Sequence, residues 1–472
     1  MFNKIINNLS KNPDFIIKKI NIKGEYIILL FFETLCDTKN INDFLLKPLS
    51  EINNNKFLLF DFKNLIEKYI PSFKVNEIKN YNDAIFNLYN GFVILFFRSK
   101  CYSLEFRKQL DSGIGSSENE KSIKGPKDSF TENYQTNIGL IRKRIKNNEL
   151  VLKEIVIGKR SNTKVGILYV NDIANEKLIK EIVNKINKIN IDSIPDSNYI
   201  YEYISNNKSL FPNVITTERP DYVSYKLLNG KICIVVENTP SVLLLPAFFI
   251  EFFHTMDDYY QNNINAFYMR IIRLFAFIIT VMLPGIYIAL ITYNHEIIPP
   301  SLIVNFAMQK DGVPFPTVIE ALVMNITFEI LRETDLRTPS KLGSALSIVG
   351  ALVLGDAAVQ AGLVSPIMVI VIAITAISEL IFSTNEVGNS VKIWRLIFVA
   401  FAGFSGILGV FIAFILLVGE LCSINSFNIP YMYPTSPLNL KDQENNIILS
   451  NNYKMKFRNK LTSFKNIKRG EL

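Results

Sequence analysis

The 472-residue chain carries a formal net charge of +8, and 49% of its residues are hydrophobic. It is longer than a single soluble core usually becomes, so we expect at least two structural units. Its basic residues are dispersed except at the C-terminus, which argues against a nucleic-acid partner; its two histidines, His254 and His295, stand alone in the sequence, so we expect no enzyme, no cofactor and no metal site.

The first 240 residues are polar, rich in Asn, Lys and Ile, and show no detectable internal repeat. Short apolar runs over residues 26–32 and 91–97 have the length of buried strands, and a helical segment is expected near residues 61–69. These patterns predict a first α/β subdomain over residues 1–128. No secretory signal is recognised after Met1, so we expect this part to stay in the cytoplasm.

A second α/β subdomain is predicted over residues 129–240. It begins with an amphipathic helix, whose apolar positions recur at helical spacing at Phe130, Tyr134, Ile138, Ile141 and Ile145. Strands are predicted over residues 152–157 and 164–170, and a helix over 175–190. Residues 221–229 read either as a short helix that ends at Gly230 or as part of a hairpin with an Asn229-Gly230 turn.

Cysteine spacing gives no sign of a disulfide framework or a zinc site. The four cysteines lie far apart and form no paired motif, so we expect reduced thiols in the core or the membrane. They are Cys36, Cys101, Cys233 and Cys422.

Long apolar runs predict a helical membrane domain over residues 241–425. Spans are predicted over residues 269–292, 315–331, 342–362, 363–382 and 393–421. The basic C-terminal segment 426–472 is expected to lie in the cytoplasm beside anionic lipid. If both ends are cytoplasmic, the number of crossings must be even, so either residues 242–253 cross as well or one of the middle two segments is re-entrant.

Acidic residues inside the predicted spans are the first functional signal. An ionised side chain at the bilayer centre costs roughly 2.5 to 3.5 kcal/mol on insertion scales, so such acids need water or a partner. They either line a wet path for cations or pair with neighbouring basic residues such as Arg332, Arg273 or Lys341. The acids are Glu320, Glu329, Asp356, Glu379 and Glu420.

Residues 343–362 combine small residues at close helical spacing with one distinctive face. Leu346, Val349, Val353, Asp356 and Gln360 follow helical spacing on that face. Repeated around an oligomer axis, the face gives an apolar gate at Val349 and Val353, followed by a polar ring that favours cations. The alternative is a tightly packed helix that conducts nothing.

Several ordered motifs between residues 122 and 442 resemble those of the A subunits of GerA-type spore germinant receptors. The motifs are GPKDSFTEN at 125–133, TNIGLIRKR at 136–144, DGVPFP at 311–316, SIVG at 347–350, LGDAAVQAGLVSP at 354–366 and SPLNLK at 436–441. The first hundred residues contain no motif of this kind, and Lys127 and Asp128 depart from the family's usual form.

The resemblance implies a receptor subunit in the inner membrane of a dormant spore, which acts with B and C subunits and releases ions in response to nutrients. It implies a homo-oligomeric ligand-gated channel, with residues 354–366 in the conduction path and nutrient recognition largely in the B subunit.

We therefore predict a soluble α/β N-terminal domain of two subdomains followed by an α-helical polytopic membrane domain that contacts membrane lipid. The predicted function is a nutrient-gated cation channel. A secondary transporter and a non-conducting scaffold subunit are the alternatives; the transporter would show inverted repeats, and none is found in the sequence.

Overall fold

A computed structural model describes residues 2–22, 25–51, 75–98, 100–108, 120, 122–205, 209–337, 353–382, 385–439, 457–463 and 466–469. The chain forms two compact units. The first comprises residues 1–206, 214–247 and 451–472, and the second comprises 207–213 and 248–450. The helix expected near residues 61–69 lies outside the described residues, as do Leu346 and Val349.

The first unit begins with a five-stranded antiparallel sheet whose order is β1-β2-β4-β5-β3. Alternate residues of β2 face the core, among them Ile27, Leu29 and Phe31, because successive side chains of a strand point to opposite faces. The strands are β1 Phe15–Ile22, β2 Glu25–Phe32, β3 Val75–Glu77, β4 Phe92–Phe97 and β5 Lys100–Glu105. The helices are α1 Phe2–Leu9, α2 Thr38–Ile41, α3 Lys47–Glu51 and α4 Tyr81–Tyr89.

The second half of this unit repeats the topology of the first. Its sheet has the order β6-β7-β9-β10-β8, so both sheets run first, second, fourth, fifth, third. In both, a helix connects the third strand to the fourth. The strands are β6 Leu150–Ile157, β7 Thr163–Val170, β8 Ile215–Thr217, β9 Ile232–Val236 and β10 Val242–Leu245; the helices are α5 Tyr134–Arg144, α6 Glu176–Asn187, α7 Ser197–Ser205 and α8 Pro220–Leu227.

A buried ion pair joins the two halves. The Arg142 guanidinium on α5 donates two 2.7 Å hydrogen bonds to the Asp14 carboxylate, which also accepts one from Thr34. Arg142 is 0% exposed and lies 4.5 Å above the Phe32 ring. Nearby, the Asn12 side chain accepts the Leu152 amide at the start of β6. The segment before β1 is therefore bound to both α5 and the second sheet.

The C-terminal tail contacts the second half of the same unit. Arg458 Nε donates to Leu228 O at 2.8 Å, and Thr462 Oγ1 donates to Asn229 O at 2.8 Å, both just beyond the end of α8. Arg469 also donates to the Asn229 side chain. Gly230 has φ +83°, and a Cβ there would lie 2.6 Å from Thr462 O. Arg458 and Arg469 therefore both bind residues just after α8, and the lipid contact expected from sequence for this segment stays a prediction.

The tail occupies a position that the duplication identifies. In the first half, Cys36 follows β2 and forms an isolated bridge with Arg107, which follows β5. In the second half, Ala174 stands at the same interval after β7, but its bridge partner is Ser463 of the tail. In the second half, Ser463 of the tail therefore forms the bridge that Arg107, which lies just beyond β5, forms in the first half.

The second unit is helical. Its helices are α9 Asn263–Thr292, α10 Pro300–Lys310, α11 Thr317–Arg337, a segment over residues 353–360 that we label α12, α13 Pro366–Glu379 and α14 Asn385–Ser423. Within the described residues, α9 and α14 are long and apolar enough to cross a membrane. The predicted fold class, a two-part α/β domain followed by a helical domain with apolar helices, is confirmed.

Helix α14 is a hairpin of two antiparallel arms. Gly406 interrupts it with φ +61° and ψ −138°. Trp394 Nε1 donates to Glu420 Oε2 at 2.9 Å, whereas in one straight helix these residues would stand about 40 Å apart at 1.5 Å per residue. The single last span expected over residues 393–421 is therefore wrong, because a tight turn lies inside the apolar run.

The expectation that residues 242–253 begin the membrane half is also wrong. Val242–Leu245 form strand β10, which is fully buried between β9 and β8, and Phe249–Phe253 form a 3₁₀ turn. A strand with neighbours on both sides and both faces covered is apolar throughout. A buried strand of this kind resembles a short membrane segment in sequence.

The strands predicted over residues 152–157 and 164–170 and the helix predicted over 175–190 are confirmed as β6, β7 and α6. Residues 221–229 adopt the helical alternative, which begins one residue earlier at Pro220 and is followed by Gly230 in the left-handed region. Helix α10 was not predicted. Cys36, Cys101 and Cys233 are buried free thiols, and burial raises the pKa of Cys36 and Cys101 to about 12, which keeps both thiols protonated and unreactive.

Replacing Asp14 by alanine should loosen the junction between the two halves. The change leaves Arg142 buried without a counter-charge, a loss of about 3–5 kcal/mol. Hydrogen exchange of the α5 amides, measured on the full chain in detergent, should accelerate strongly. Asp43→Ala, which removes the exposed pair with Lys47, should change nothing measurable. Equal exchange in the two variants would contradict a role for the buried pair.

Removing both tail arginines should expose the end of α8. The double variant Arg458→Ala/Arg469→Ala loses charge-assisted hydrogen bonds worth about 1.5–3 kcal/mol each. Amides of residues 225–236 should lose protection in hydrogen exchange. Lys460→Ala removes a positive charge from an exposed position of the same tail and should leave that protection intact; protection unchanged in the double variant would show that the tail does not hold this region.

Candidate functional site

Helix α12 presents the predicted pore face outward. Val353 is 56% exposed, and Asp356 and Gln360 are also exposed. The Asp356 carboxylate accepts a 2.8 Å hydrogen bond from Gln360 Nε2. On the opposite side Gly355 is buried, and a Cβ there would lie 3.5 Å from Val369 of α13. The segment thus packs on α13 through its small residue and leaves the Val353, Asp356 and Gln360 face uncovered in one chain.

Two of the four remaining acids are in ion pairs. Glu379, 4% exposed, pairs with Arg395 at 2.9 Å and with Arg332. Glu329 pairs with Lys392. These contacts link α11, α13 and α14. Glu379 and Glu329 therefore pair with basic residues, which is the second alternative considered from sequence. One partner of Glu379, Arg332, was named there.

Glu420 is held by hydrogen-bond donors. Its Oε1 accepts from Ser209 Oγ at 2.8 Å and from the Leu210 amide at 2.9 Å, and its Oε2 accepts from Trp394 Nε1 at 2.9 Å. The carboxylate therefore connects both arms of α14 to the segment 209–210. This is a structural role for an acid in an apolar setting.

Glu320 is buried and, within the described part of the chain, has hydrogen bonds on one carboxylate oxygen only. It is 1% exposed, and its Oε2 accepts both the amide and the hydroxyl of Ser365 at 2.9 Å. Its Oε1 has no hydrogen-bond partner among the described residues. Glu320 lies beside the start of α13 and Glu379 at its end, about 20 Å apart at 1.5 Å per residue. The acids are thus spread over both ends of the helical unit.

The turn inside α14 is a feature that sequence analysis missed. Tyr293 and Asn294, which follow α9, hold it: Tyr293 donates to Gly403 O at 2.8 Å, and Asn294 Oδ1 accepts the Ile407 amide at 3.1 Å. They satisfy backbone groups freed by the break, as an interrupted helix in an apolar setting requires. The sequence signal was the glycine triplet 403, 406 and 409.

A buried charge cluster at the start of α9 was also missed. Asp258 accepts hydrogen bonds from Arg270 at 3.2 Å and from Arg273 at 2.8 and 2.9 Å. Arg273 also donates to Phe253 O at 2.9 Å. Arg270 and Arg273 thereby fasten the first long apolar helix to the two 3₁₀ turns before it. Arg273, named from sequence as a possible partner of the acids in the predicted spans, pairs instead with Asp258, which precedes them.

The chain matches the family model described as Bacillus/Clostridium GerA spore germination protein over residues 3–461. It is 37% identical to Spore germination protein KA of Bacillus subtilis (strain 168), over 91% of this chain and 80% of that protein. It is 33% identical to Spore germination protein GerQA of Bacillus cereus, over 93% and 88%, and 32% identical to Spore germination protein A1 of Bacillus subtilis, over 94% and 92%.

One solved structure is also similar: the N-terminal domain of the A subunit of the Bacillus megaterium spore germinant receptor GerK3. It is 28% identical and matches 52% of this chain and 94% of that chain, with a TM-score of 0.40.

Replacing Gly406 by alanine should destabilise the helical unit. The left-handed backbone costs a non-glycine residue about 1–2 kcal/mol, and the added Cβ would lie 2.7 Å from Asn294 Oδ1 and 2.8 Å from Tyr293 Cβ. Thermal unfolding followed by the fluorescence of Trp394, the chain's single tryptophan, should show a lower midpoint.

The matched control is Gly419→Ala, on the second arm of the same hairpin. A Cβ there meets no atom within 4 Å, so the midpoint should stay the same or rise slightly through helix propensity. If both alanine variants unfold at the wild-type temperature, the turn at Gly406 is not the constraint described here.

Proposed function

We propose that this protein, which belongs to the GerA family of spore germination proteins, is the A subunit of a nutrient-responsive germinant receptor that forms a cation channel together with further copies of itself. The observation that carries the proposal is the uncovered face of α12. Asp356 and Gln360 are polar and Val353 is apolar, and all three are exposed. The other acids of the predicted spans, Glu320, Glu329, Glu379 and Glu420, each contact a residue of another element.

The exposed face favours a pore over a lipid contact. A carboxylate turned toward hydrocarbon is costly, whereas one turned toward a water-filled axis is hydrated. Copies arranged around such an axis would put Val353 in an apolar ring and Asp356 in an acidic ring. The ring of valines would resist wetting, and the ring of acids would favour cations over anions. Leu346 and Val349, which lie outside the described residues, would extend the apolar part.

Connectivity supports a multi-pass arrangement with an even number of crossings. The chain leaves the first unit after Ala247 and returns to it at residue 451, so in the proposed arrangement both ends of the helical unit would lie on one side of the membrane. Helices α9 and α11, the predicted helix over residues 342–362, α13 and the two arms of α14 give six crossings. The basic residues Lys392 and Arg395 then face the same side as the first unit, which the positive-inside rule makes cytoplasmic.

We place the protein in the spore inner membrane, in contact with lipid and with the B and C subunits of the receptor. The support is membership of the GerA family, whose relatives are named as spore germination proteins. Nutrient recognition would lie largely in the B subunit, and this chain would supply the conducting part.

Cation efflux from liposomes that contain the purified protein tests the proposal. Val353→Ala should raise basal efflux several-fold because a smaller side chain weakens the apolar ring. Asp356→Asn should lower the preference for cations over anions because the ring loses its charge.

Two matched controls separate pore effects from general effects. Val418→Ala alters an exposed valine on the second arm of α14, and Glu296→Gln neutralises an exposed acid beside α10; neither should change efflux or selectivity. Folded oligomeric protein in which Val353→Ala and Asp356→Asn both conduct like wild type would refute the assignment of this face. An absence of efflux until B and C subunits are added would favour the scaffold or a channel that needs its partners.

A further inference from the structure

Glu320 is the one acid of the predicted spans that, among the residues the structure describes, has a buried carboxylate oxygen with no hydrogen-bond partner. Glu379 has two arginines, Glu329 has a lysine, and both oxygens of Glu420 accept hydrogen bonds. Glu320 has only Ser365, and both bonds reach Oε2. The Oε1 atom is inaccessible to solvent and accepts no hydrogen bond. No lysine, arginine or histidine pairs with this carboxylate in the described part of the chain.

The surroundings supply partial compensation for the negative charge. Ser365 is the residue before α13, so Glu320 lies at the N-terminus of a helix, where the backbone dipoles are equivalent to about half a positive charge. The nearest basic residue along the chain, Lys310, donates to Thr317 at the start of α11. The helix dipole compensates the carboxylate only in part, and a buried charge without a full partner is unfavourable.

The atoms around Glu320 that could bind a ligand are oxygens. Besides Oε1 there is the Ser365 hydroxyl oxygen, and the Tyr287 phenol of α9 lies beside both Ser365 and Glu320. Oxygen donors without nitrogen or sulfur suit hard cations. No group of three His, Cys, Asp or Glu side chains that could hold a metal occurs in the described residues, and a single carboxylate balances a single positive charge, which favours Na⁺ or K⁺ over a divalent ion.

We propose that Glu320 Oε1, with the hydroxyl oxygens of Ser365 and Tyr287, binds one dehydrated monovalent cation. The bound ion would connect α9, α11 and the start of α13. Ser365 ends the short turn that follows α12, so the cation would fix the position of the segment that carries Val353 and Asp356. Cation binding here is separate from conduction: it is measurable in detergent without any gradient and stands whether or not the α12 face forms a pore.

The test is thermal unfolding of the full-length protein in detergent, followed by the fluorescence of Trp394. NaCl and KCl are titrated against N-methyl-D-glucamine chloride at constant ionic strength. A ligand that binds only the folded state raises the unfolding midpoint saturably with its concentration. For wild type we expect such a rise with Na⁺ or K⁺ and none with the large organic cation.

Glu320→Gln keeps the shape of the side chain and removes its charge, so the cation-specific rise should disappear. Glu296→Gln, which neutralises an exposed acid of the same unit, should keep the full rise. Tyr287→Phe removes one oxygen only and should shift the half-saturating concentration upward several-fold, and it tests the site independently if Glu320→Gln does not fold.

Three results would overturn the proposal. The first is the absence of any cation-specific rise in wild type, and the second is an undiminished rise in Glu320→Gln. The third is a midpoint that depends on pH through Glu320 and not on Na⁺ or K⁺, which would mean that a proton neutralises the carboxylate.

Discussion

A charge buried away from water must have opposite charges or hydrogen-bond donors around it, and this requirement decides how both units are assembled. In the soluble unit the carboxylate of Asp14 and the guanidinium of Arg142 are far apart in sequence and meet at the junction of the two halves. In the helical unit Glu379 performs the same task between α11 and α14. Such pairs contribute little net stability compared with an apolar replacement. An alternative packing of the elements would, however, leave one charge buried without its partner, so the pairs favour a single arrangement.

Duplication within the soluble unit explains why the C-terminal tail returns to it. The first half closes the edge near Cys36 with the residues that follow β5. The second half lacks that continuation, because the chain leads from β10 into the helical unit. Ser463 and its neighbours fill the vacant position, and the glycine at 230 leaves room for the Thr462 carbonyl. The duplicated fold thereby accounts for the contacts between the tail and the residues just after α8.

Sequence analysis predicted the elements correctly where the spacing of apolar residues matches the face of the element that is buried. The amphipathic spacing over residues 130–145 predicted α5, and the alternation of apolar runs predicted both sheets. It failed where an apolar run is compatible with a membrane span and also with another structure. Residues 242–245 are apolar because a central strand is covered on both faces, and the run over 393–421 hides a turn at Gly406 whose stability comes from Tyr293 and Asn294, more than a hundred positions earlier. The second partner of Glu379, Arg395, and the donors around Glu420 were not predicted, because they depend on how segments distant in sequence pack together.

Asp356 and Glu320 differ in whether the carboxylate is buried within a single chain. Both lie in apolar helices, and composition alone gives them equal weight. Asp356 is exposed, and a hydrogen bond from Gln360 on its own helix is its partner; such a side chain needs hydration, which further copies around an axis would provide. Glu320 is enclosed within one chain and is bound by Ser365 on one side only. Further copies of the chain would therefore change the surroundings of Asp356, whereas a small ligand would change those of Glu320. In the proposed channel an ion that passes Asp356 would be hydrated and transient, whereas an ion at the proposed Glu320 site would exchange water for protein oxygens and become part of the structure.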